Sequence, residues 1–199
     1  MSVNQSAHDL VNDWFNESLR VTQDALSAIT EAIVNAAQAM TDSIQNGGKI
    51  LVCGNGGSAA DAQHFSGEML GRFMGERRSL PATTLTTDGS ALTAIGNDYE
   101  FDQVFARQVS GLGQTGDVLF GITTSGNSGN IAAAINVAHE KNMRCVILNG
   151  NDGGKIPALL NKNDIEIRVE NTCTPHIQEV HGIVIHCICH LIDSQLSNS

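Results

Sequence analysis

The sequence predicts an α/β protein of three layers, in which helices cover both faces of a five-stranded, parallel, flavodoxin-like sheet. From about residue 49 onward, short apolar segments alternate with segments of helical periodicity. Strands separated by helices are typical of βαβ crossovers, which make the strands parallel. Five strands fit the order 2-1-3-4-5 better than the six of a dinucleotide-binding fold. Two glycine-rich loops also follow apolar segments and open helices, as ligand-binding loops do in such sheets.

The N-terminal part of the chain is predicted to form two helices that pair as a hairpin. Apolar residues recur at helical spacing through residues 8–46. Gly47-Gly48 ends this pattern, because glycine favours the conformation that terminates a helix. The hairpin is apolar on one face, which suits packing against a second subunit.

The remaining elements follow from the alternation of strand and helix patterns. Strands are predicted at residues 49–53, 82–85, 118–122, 145–148 and 165–169. Helices are predicted at residues 58–73, 90–96, 101–110, 127–141, 152–160 and 175–196. No repeat or linker interrupts the pattern. We therefore expect a single domain over residues 1–199, with the hairpin at 1–47 and an α/β core at 48–199.

Composition indicates a globular protein and excludes some partners. Of the 199 residues, 41% are hydrophobic and 16% are charged, which allows a real core. The formal net charge of -10 argues against nucleic acid and anionic membranes as partners, because both repel an acidic protein. No leader pattern is present and no apolar run approaches the ~20 residues that span a bilayer, so we expect a cytoplasmic protein. The five cysteines, an odd number without regular spacing, are expected to be reduced and mostly buried.

Two loops are the main functional signal. Residues 53–58, with the sequence CGNGGS, follow the first predicted strand, and residues 123–128, with the sequence TTSGNS, follow the third. In the order 2-1-3-4-5 these two strands are neighbours at the point where the connections change direction. Their loops would present backbone N–H groups and hydroxyls to one anion at two helix N-termini.

Neither loop contains a basic side chain, and this indicates which kind of phosphate the loops bind. The first loop is not G-x-G-x-x-G, because Ser58 replaces the third glycine, and no Lys follows it as in a Walker loop. Neutral donors fit a monophosphate better than a triphosphate. Either loop alone is equally well explained as an ordinary turn with a helix cap, but two such loops after neighbouring strands favour a phosphate site.

Titratable residues lie close to this predicted phosphate site. His64 and Glu68 are four residues apart on the helix that Ser58 begins, and so share one face. The last helix carries Gln178, His181 and His186, of which Gln178 and His186 are about 80° apart around the helix axis. His181 diverges further, so it is not assigned to the same site. The alternatives are an exposed ion pair for His64 and Glu68, and a core position for His186.

A carboxylate and a histidine beside a bound sugar phosphate suggest aldose–ketose isomerisation. This reaction moves a proton between two carbons through an enediolate, and it needs a base near the carbon and an acid near the oxygens. A divalent metal is able to replace the acid by polarising those oxygens. The mixed N/O set that suits Zn²⁺ consists of His64, Glu68, Gln178 and His186.

Several motifs, taken in order, resemble those of the phosphoheptose isomerases of the sugar-isomerase (SIS) family. The resemblance covers nearly the whole chain. The motifs that carry it are residues 53–58, 61–65 (DAQHF), Glu68, 71–73 (GRF), 96–98 (GND), 124–128 (TSGNS), 152–154 (DGG) and 177–181 (IQEVH).

The resemblance implies a reaction and an assembly. The family converts sedoheptulose 7-phosphate into D-glycero-D-manno-heptose 7-phosphate, an early precursor of the core heptose of lipopolysaccharide. Its members are homotetramers whose active sites lie between subunits, and many bind zinc. These properties are therefore expected of this chain.

The resemblance also implies residue roles. Glu68 would be the base and His186 the acid, and one zinc ion per subunit would be held by His64, Glu68, Gln178 and His186. Substrate would be bound by Asn55, Gly56, Gly57, Ser58, Glu68, Arg72, Asn97, Asp98, Thr123, Thr124, Ser125, Ser128 and Gln178.

Two positions depart from the family pattern, and two other functions share its fold. Thr123 stands where Ser is usual, and His176 stands where Arg is common. A close relative of these enzymes binds the bacterial replication initiator without catalysis, and lacks the carboxylate and histidine found here at Glu68 and His186. A SIS-type sensor of sugar phosphates would not require those two residues together. Their presence favours the isomerase.

Overall fold

The centre of the protein is a five-stranded sheet, seen in a computed structural model that describes residues 5–197. All neighbouring strands are parallel, and their order is β2-β1-β3-β4-β5. This confirms the predicted sheet. The strands are β1 (Ile50–Gly54), β2 (Ala82–Thr84), β3 (Val118–Ile122), β4 (Arg144–Gly150) and β5 (Ile165–Val169).

Helices form the connections between the strands. The α-helices are α1 (Ala7–Gln45), α2 (Gly57–Leu70), α3 (Gly89–Asp98), α4 (Ala106–Leu112), α5 (Gly129–Glu140) and α6 (Thr174–Ser197). A 3₁₀ turn at Phe101–Gln103 lies between α3 and α4 in the β2–β3 connection, and the β4–β5 connection contains only the 3₁₀ turn Ile156–Leu159.

The two faces of the sheet bury two separate hydrophobic cores. Successive strand residues point to opposite faces, so Ile50 and Val52 of β1 join one core while Leu51 and Cys53 join the other. The first core packs beneath α1, α2 and α6, and the second beneath α4 and α5. Every residue of β1 and β3 is buried, as expected for central parallel strands covered on both sides. The predicted three layers are therefore confirmed.

The predicted N-terminal hairpin is wrong, because α1 is one helix of 39 residues. Residues 7–46 contain no Gly or Pro, so nothing in the sequence breaks the helix before Gly47. Ser6 and Asp9 form a capping box at its start. Its second half is buried against the sheet and α6, whereas large apolar side chains of its first half are exposed, among them Leu10, Val11, Trp14, Phe15 and Leu19.

Two predicted helices are shorter than the periodicity suggested. The predicted helix 101–110 is a 3₁₀ turn followed by α4. The predicted helix 152–160 is only the 3₁₀ turn Ile156–Leu159, which contains Pro157. Gly153 and Gly154 precede it with φ angles of 89° and 57°, which are incompatible with an α-helix. Two glycines and a proline thus prevent the α-helix that the spacing of apolar residues predicted at 152–160.

The cysteines agree with the expectation that they are reduced and mostly buried. All five cysteines are free, and Cys53, Cys145 and Cys189 are buried. Burial raises the pKa of the Cys53 and Cys189 thiols to about 12. None of the helices within residues 5–197 has the length and apolar character needed to span a membrane.

His181 joins α6 to the end of β4 in the interior of the protein. Its side chain is fully buried, and Nε2 lies 2.9 Å from the backbone oxygen of Asn149. Nδ1 has no hydrogen-bond partner among the described residues. Burial lowers the pKa of His181 to about 4, and the contact with Asn149 opposes this shift only partly. The ring is therefore neutral in the folded protein at neutral pH.

We predict that this histidine makes the folded state acid-sensitive. Its pKa in the unfolded chain is about 6.5, so below that pH the unfolded chain binds a proton that the folded protein does not. The contribution of the neutral His181 ring to the free energy of unfolding is fully present above pH 6.5 and is lost as the pH falls towards 4. Between these values the wild type should lose about 3 kcal/mol more of its free energy of unfolding than His181→Gln does. Urea unfolding at several pH values measures this.

The control is His190→Gln, because His190 is exposed on the same helix. This variant should show the acid sensitivity of the wild type. Equal pH slopes for the wild type and His181→Gln would contradict the role given to His181.

Candidate active site

The first loop connects β1 to α2 by a tight turn. Gly56 has a φ angle of 56°, which glycine adopts without strain, and α2 begins at the next residue. Asn55 is half-buried and Ser58 is buried. The first N–H groups of a helix have no partner within it, so this turn presents donors at the carboxyl end of the sheet.

The second loop connects β3 to α5 and is braced by its own side chains. Thr123 Oγ1 lies 3.1 Å from Ser128 Oγ, and Ser125 Oγ accepts a hydrogen bond of 3.2 Å from the backbone N–H of Asn127. Gly126 has a φ angle of 65° and packs against Gly153 so closely that a Cβ would collide with the Gly153 backbone. This loop is therefore held in shape by hydroxyl contacts and by the β4–β5 connection.

A reciprocal amide pair ties the two loops together. Asn55 Nδ2 donates to Asn130 Oδ1 at 2.8 Å, and Asn130 Nδ2 donates back to Asn55 Oδ1 at 2.8 Å. Asn130 lies in the first turn of α5 and is buried. Asn130 was not predicted as a site residue, although a polar residue at the start of an Ala-rich helix was an available signal. Because β1 pairs directly with β3, the two loops leave neighbouring strands and this pair fixes their separation.

A histidine at the centre of α2 contacts two other predicted site residues. His64 Nε2 lies 3.2 Å from Glu68 Oε1 on the same helix and 3.2 Å from His186 Nε2 on α6. The His64 and His186 rings meet edge to face, with centroids 5.0 Å apart. His64 and His186 are exposed and Glu68 is half-buried. His186 is thus not a core residue, and the three side chains form a cluster that solvent and substrate are able to reach.

Gln178 contacts the start of α2. Its side-chain amide occupies the space beside Gly57, where any Cβ would collide with it. The nearby Asp61 has one buried oxygen, Oδ2, without a hydrogen-bond partner among the described residues. Burial raises the pKa of the Asp61 carboxyl, while His64 and the Gln178 amide act in the opposite direction. Asp61 was not singled out from the sequence, although it stands one turn before His64 on the same face of α2.

The other predicted residues lie around these elements without joining the cluster. Arg72 is exposed beyond the end of α2 and makes no hydrogen bond or ion pair to any residue in the described range 5–197. Asn97 and Asp98 form the exposed end of α3, where Asn97 Nδ2 donates to Asp98 Oδ1 at 2.8 Å. His181 is buried and contacts the backbone oxygen of Asn149.

The donor atoms around His64 are of types that a zinc ion accepts. Two ligand atoms of a tetrahedral zinc stand about 3.3 Å apart for bonds of about 2.0–2.1 Å, close to the two 3.2 Å separations at His64 Nε2. Imidazole and carboxylate are ligand types that zinc accepts. The ligand types therefore fit zinc, whereas the donor atoms of His64, Glu68 and His186 do not all lie within 4.8 Å of one another. The Gln178 amide lies beside the first turn of α2.

A second group of possible ligands lies at the opposite edge of the sheet. Among the described residues, only His139, Cys145 and Asp164 place three such ligand atoms all within 4.8 Å of one another. The Asp164 oxygens already accept hydrogen bonds from the backbone N–H groups of Cys145 and Asn161, and one lies 2.7 Å from His139 Nε2. Burial is the main cause that raises the pKa of the Cys145 thiol. This group is therefore explained as a structural connection between α5, β4 and β5.

Comparison with known proteins identifies the family. The family model described as SIS domain matches residues 13–150. A phosphoheptose isomerase of Alkalilimnicola ehrlichii is 54% identical over 95% of this chain and 96% of its own length. The chain belongs to the SIS-domain family, and within it to the phosphoheptose isomerases.

Solved structures of phosphoheptose isomerases share the whole fold. The one from Neisseria gonorrhoeae superimposes with a TM-score of 0.91 at 51% identity, and the match covers 95% of this chain and all of that one. The one from Francisella tularensis gives a TM-score of 0.93 at 43% identity, with 96% of this chain and all of that one covered. Both the SIS resemblance and the enzyme class expected from the sequence, a sugar-phosphate isomerase, are thereby confirmed at the level of the family.

The contact of Gln178 with Gly57 gives a stability prediction. Gly57→Ala places a methyl group in the space of the Gln178 amide. That amide is the end of a flexible side chain and is able to move aside, so we expect a loss of no more than about 1 kcal/mol in the free energy of unfolding. Gly67 is the matched control, because it lies in the same helix and a Cβ there meets nothing within 4 Å. Gly67→Ala should gain about 0.5–1 kcal/mol from helix propensity.

Urea unfolding of both variants measures the difference. A Gly57→Ala variant that is as stable as Gly67→Ala would show that α6 does not press on the first turn of α2.

Proposed function

We propose that this chain is an aldose–ketose isomerase that converts sedoheptulose 7-phosphate to D-glycero-D-manno-heptose 7-phosphate through an enediolate. The observation that carries the proposal is that Glu68 Oε1 and His186 Nε2 each lie 3.2 Å from His64 Nε2. His64 and Glu68 are on α2, the helix that begins in the first phosphate loop. Membership of the phosphoheptose isomerases supports this substrate. In this proposal the phosphate binds at the two loops, and the reacting carbons lie at Glu68 and His186.

The phosphate end is assigned to the two loops. Their donors are neutral, and in a protein with a net charge of -10 the helix N-termini supply the local positive potential that a phosphate needs. Thr123 keeps the hydroxyl of the Ser that is usual there. The residues assigned to substrate are Asn55, Gly56, Gly57, Ser58, Thr123, Thr124, Ser125 and Ser128, with Glu68, Arg72, Asn97, Asp98 and Gln178 at the sugar.

The reacting end is assigned to Glu68 and His186. The carbonyl of the ketose is at C2, so the base Glu68 removes a proton from C1 and an enediolate forms. His186 gives a proton to the oxygen on C2 and then accepts the proton of the oxygen on C1, which forms the aldehyde. Glu68 then returns its proton to C2, which completes the aldose. Each transfer needs a group within hydrogen-bond reach, and both candidates are accessible.

One zinc ion per subunit is assigned to His64, Glu68, Gln178 and His186. When bound, it would polarise the two sugar oxygens and stabilise the negative charge that develops on them. The chain's own contribution is to orient these side chains from two helices, and His64 is common to both short contacts of the cluster.

The assembly is proposed to be a homotetramer with its active sites between subunits. The exposed apolar side chains of the first half of α1 support a partner chain there, because a large apolar patch on a soluble protein marks an interaction surface. Residues 1–199 are taken as a single SIS domain. A cytoplasmic protein that makes heptose for lipopolysaccharide is the setting consistent with this reaction.

Two other functions share the fold, and the presence of a base and an acid distinguishes the isomerase from both. A protein that only binds the replication initiator, or a sensor of sugar phosphates, has no need of a base and an acid together. The side-chain cluster of Glu68, His64 and His186 therefore favours the enzyme. An initiator-binding role in addition to catalysis would not change the prediction that follows.

We predict that Glu68→Gln lowers kcat by about 10²–10⁴-fold while sedoheptulose 7-phosphate still binds, because the amide cannot accept the C1 proton. Turnover is measured by the appearance of the aldose phosphate. Binding is measured by the rise in melting temperature that the substrate causes.

The matched control is Glu31→Gln, which changes an exposed glutamate on α1 and should keep wild-type turnover. Full activity in Glu68→Gln would remove the role of Glu68 as base. A wild type that binds the sugar phosphate without converting it would favour the sensor, and capture of the initiator without isomerisation would favour the second alternative.

A further inference from the structure

Arg77 is a largely buried cation at the end of α2 that no catalytic role explains. It lies in the connection between α2 and β2, and its side chain is 10% exposed. Its guanidinium makes five hydrogen bonds. Nε donates to Asp193 Oδ1 at 2.6 Å, and the terminal nitrogens donate to the backbone oxygens of Glu68 at 2.8 Å, Met69 at 3.0 Å, Arg78 at 3.1 Å and Gly71 at 3.4 Å.

Three of these acceptors belong to the C-terminal end of α2. The last four carbonyls of a helix have no partner within it, and they carry the negative end of the helix dipole. The last turn of α2 contains no basic residue of its own, so Arg77 is the cation that faces this end. The guanidinium thus replaces the missing helical partners, and the oxygen at 2.8 Å belongs to Glu68 itself.

The fifth bond reaches the other catalytic helix. Asp193 lies on α6 seven residues after His186, which places the two side chains on nearly the same face of that helix. Asp193 is only 14% exposed on its side chain, so its contact with Arg77 is well shielded from solvent. Arg77 is therefore bonded both to the backbone of Glu68 and to the helix that carries His186.

We propose that Arg77 is a positioning residue, which sets the separation of Glu68 and His186 by joining the end of α2 to Asp193 on α6. This assignment rests on the proposed function. A base and an acid must both reach the sugar in the correct geometry, and a shift of about 1 Å is able to cost about a hundredfold in rate. Only an arginine provides donors in several fixed directions at once, and a lysine presents one flexible point charge.

Arg77→Lys tests the proposal, because it keeps the charge and removes the fork. We expect kcat to fall roughly tenfold or more with KM changed less than about threefold, since the phosphate loops are untouched. Asp193→Asn should likewise lower kcat and change KM little. The double variant should be no slower than the slower single variant, because both changes break one connection.

The control is Arg78→Lys, which changes the exposed neighbour and should keep the kcat of the wild type. Hydrogen–deuterium exchange gives a readout that does not depend on catalysis: Arg77→Lys should speed exchange at residues 67–71 and Arg78→Lys should not.

Two results would overturn the assignment. One is an Arg77→Lys protein that is less stable yet keeps its kcat within about twofold, which is the behaviour of a purely structural residue. The other is unchanged exchange at the end of α2. A wild type without isomerase activity would instead remove the proposed function and the catalytic part of this assignment with it, and the exchange result would still decide whether Arg77 holds the end of α2.

Discussion

The packing of α6 alongside α2 is the constraint on which the candidate site depends. The two helices meet at three levels along α2: Gln178 beside Gly57, His186 beside His64, and Asp193 bonded to Arg77 beyond Leu70. Each helix alone carries a few polar residues with ordinary explanations. Their chemistry arises because the fold brings together residues 122 positions apart in the sequence, His64 and His186, so that a carboxylate and two imidazoles share one accessible surface.

The sheet supplies the other half of the site. Since β1 and β3 are parallel neighbours, their loops leave the same edge together, and the Asn55–Asn130 amide pair holds them at a fixed distance. A phosphate bound there would lie at two helix N-termini, and the first of these helices also carries Glu68. An acidic protein is thus able to bind an anion, because the positive potential is local and comes from the backbone.

The sequence predicted the sheet correctly because its strands are short apolar segments with glycine-rich ends, and the strand order followed from the number of βαβ units. It failed at α1, because apolar periodicity shows that residues are helical without showing where one helix becomes two. The absence of Gly and Pro from residues 7–46 was the better guide. Asn130 and Arg77, which connect parts of the site, were not predicted, because each acquires its role from a partner distant in sequence.

We propose that His64 and His186, from two helices, bind one zinc ion, and the zinc content of the purified protein is the decisive measurement. One zinc per chain is expected in the wild type, measured by elemental analysis after purification without chelator. His64→Ala and His186→Ala should each lose it, while His190→Ala, an exposed change on α6, should retain it. Zinc that persists in both His64→Ala and His186→Ala, or a wild type that binds none when zinc is supplied, would contradict the claim.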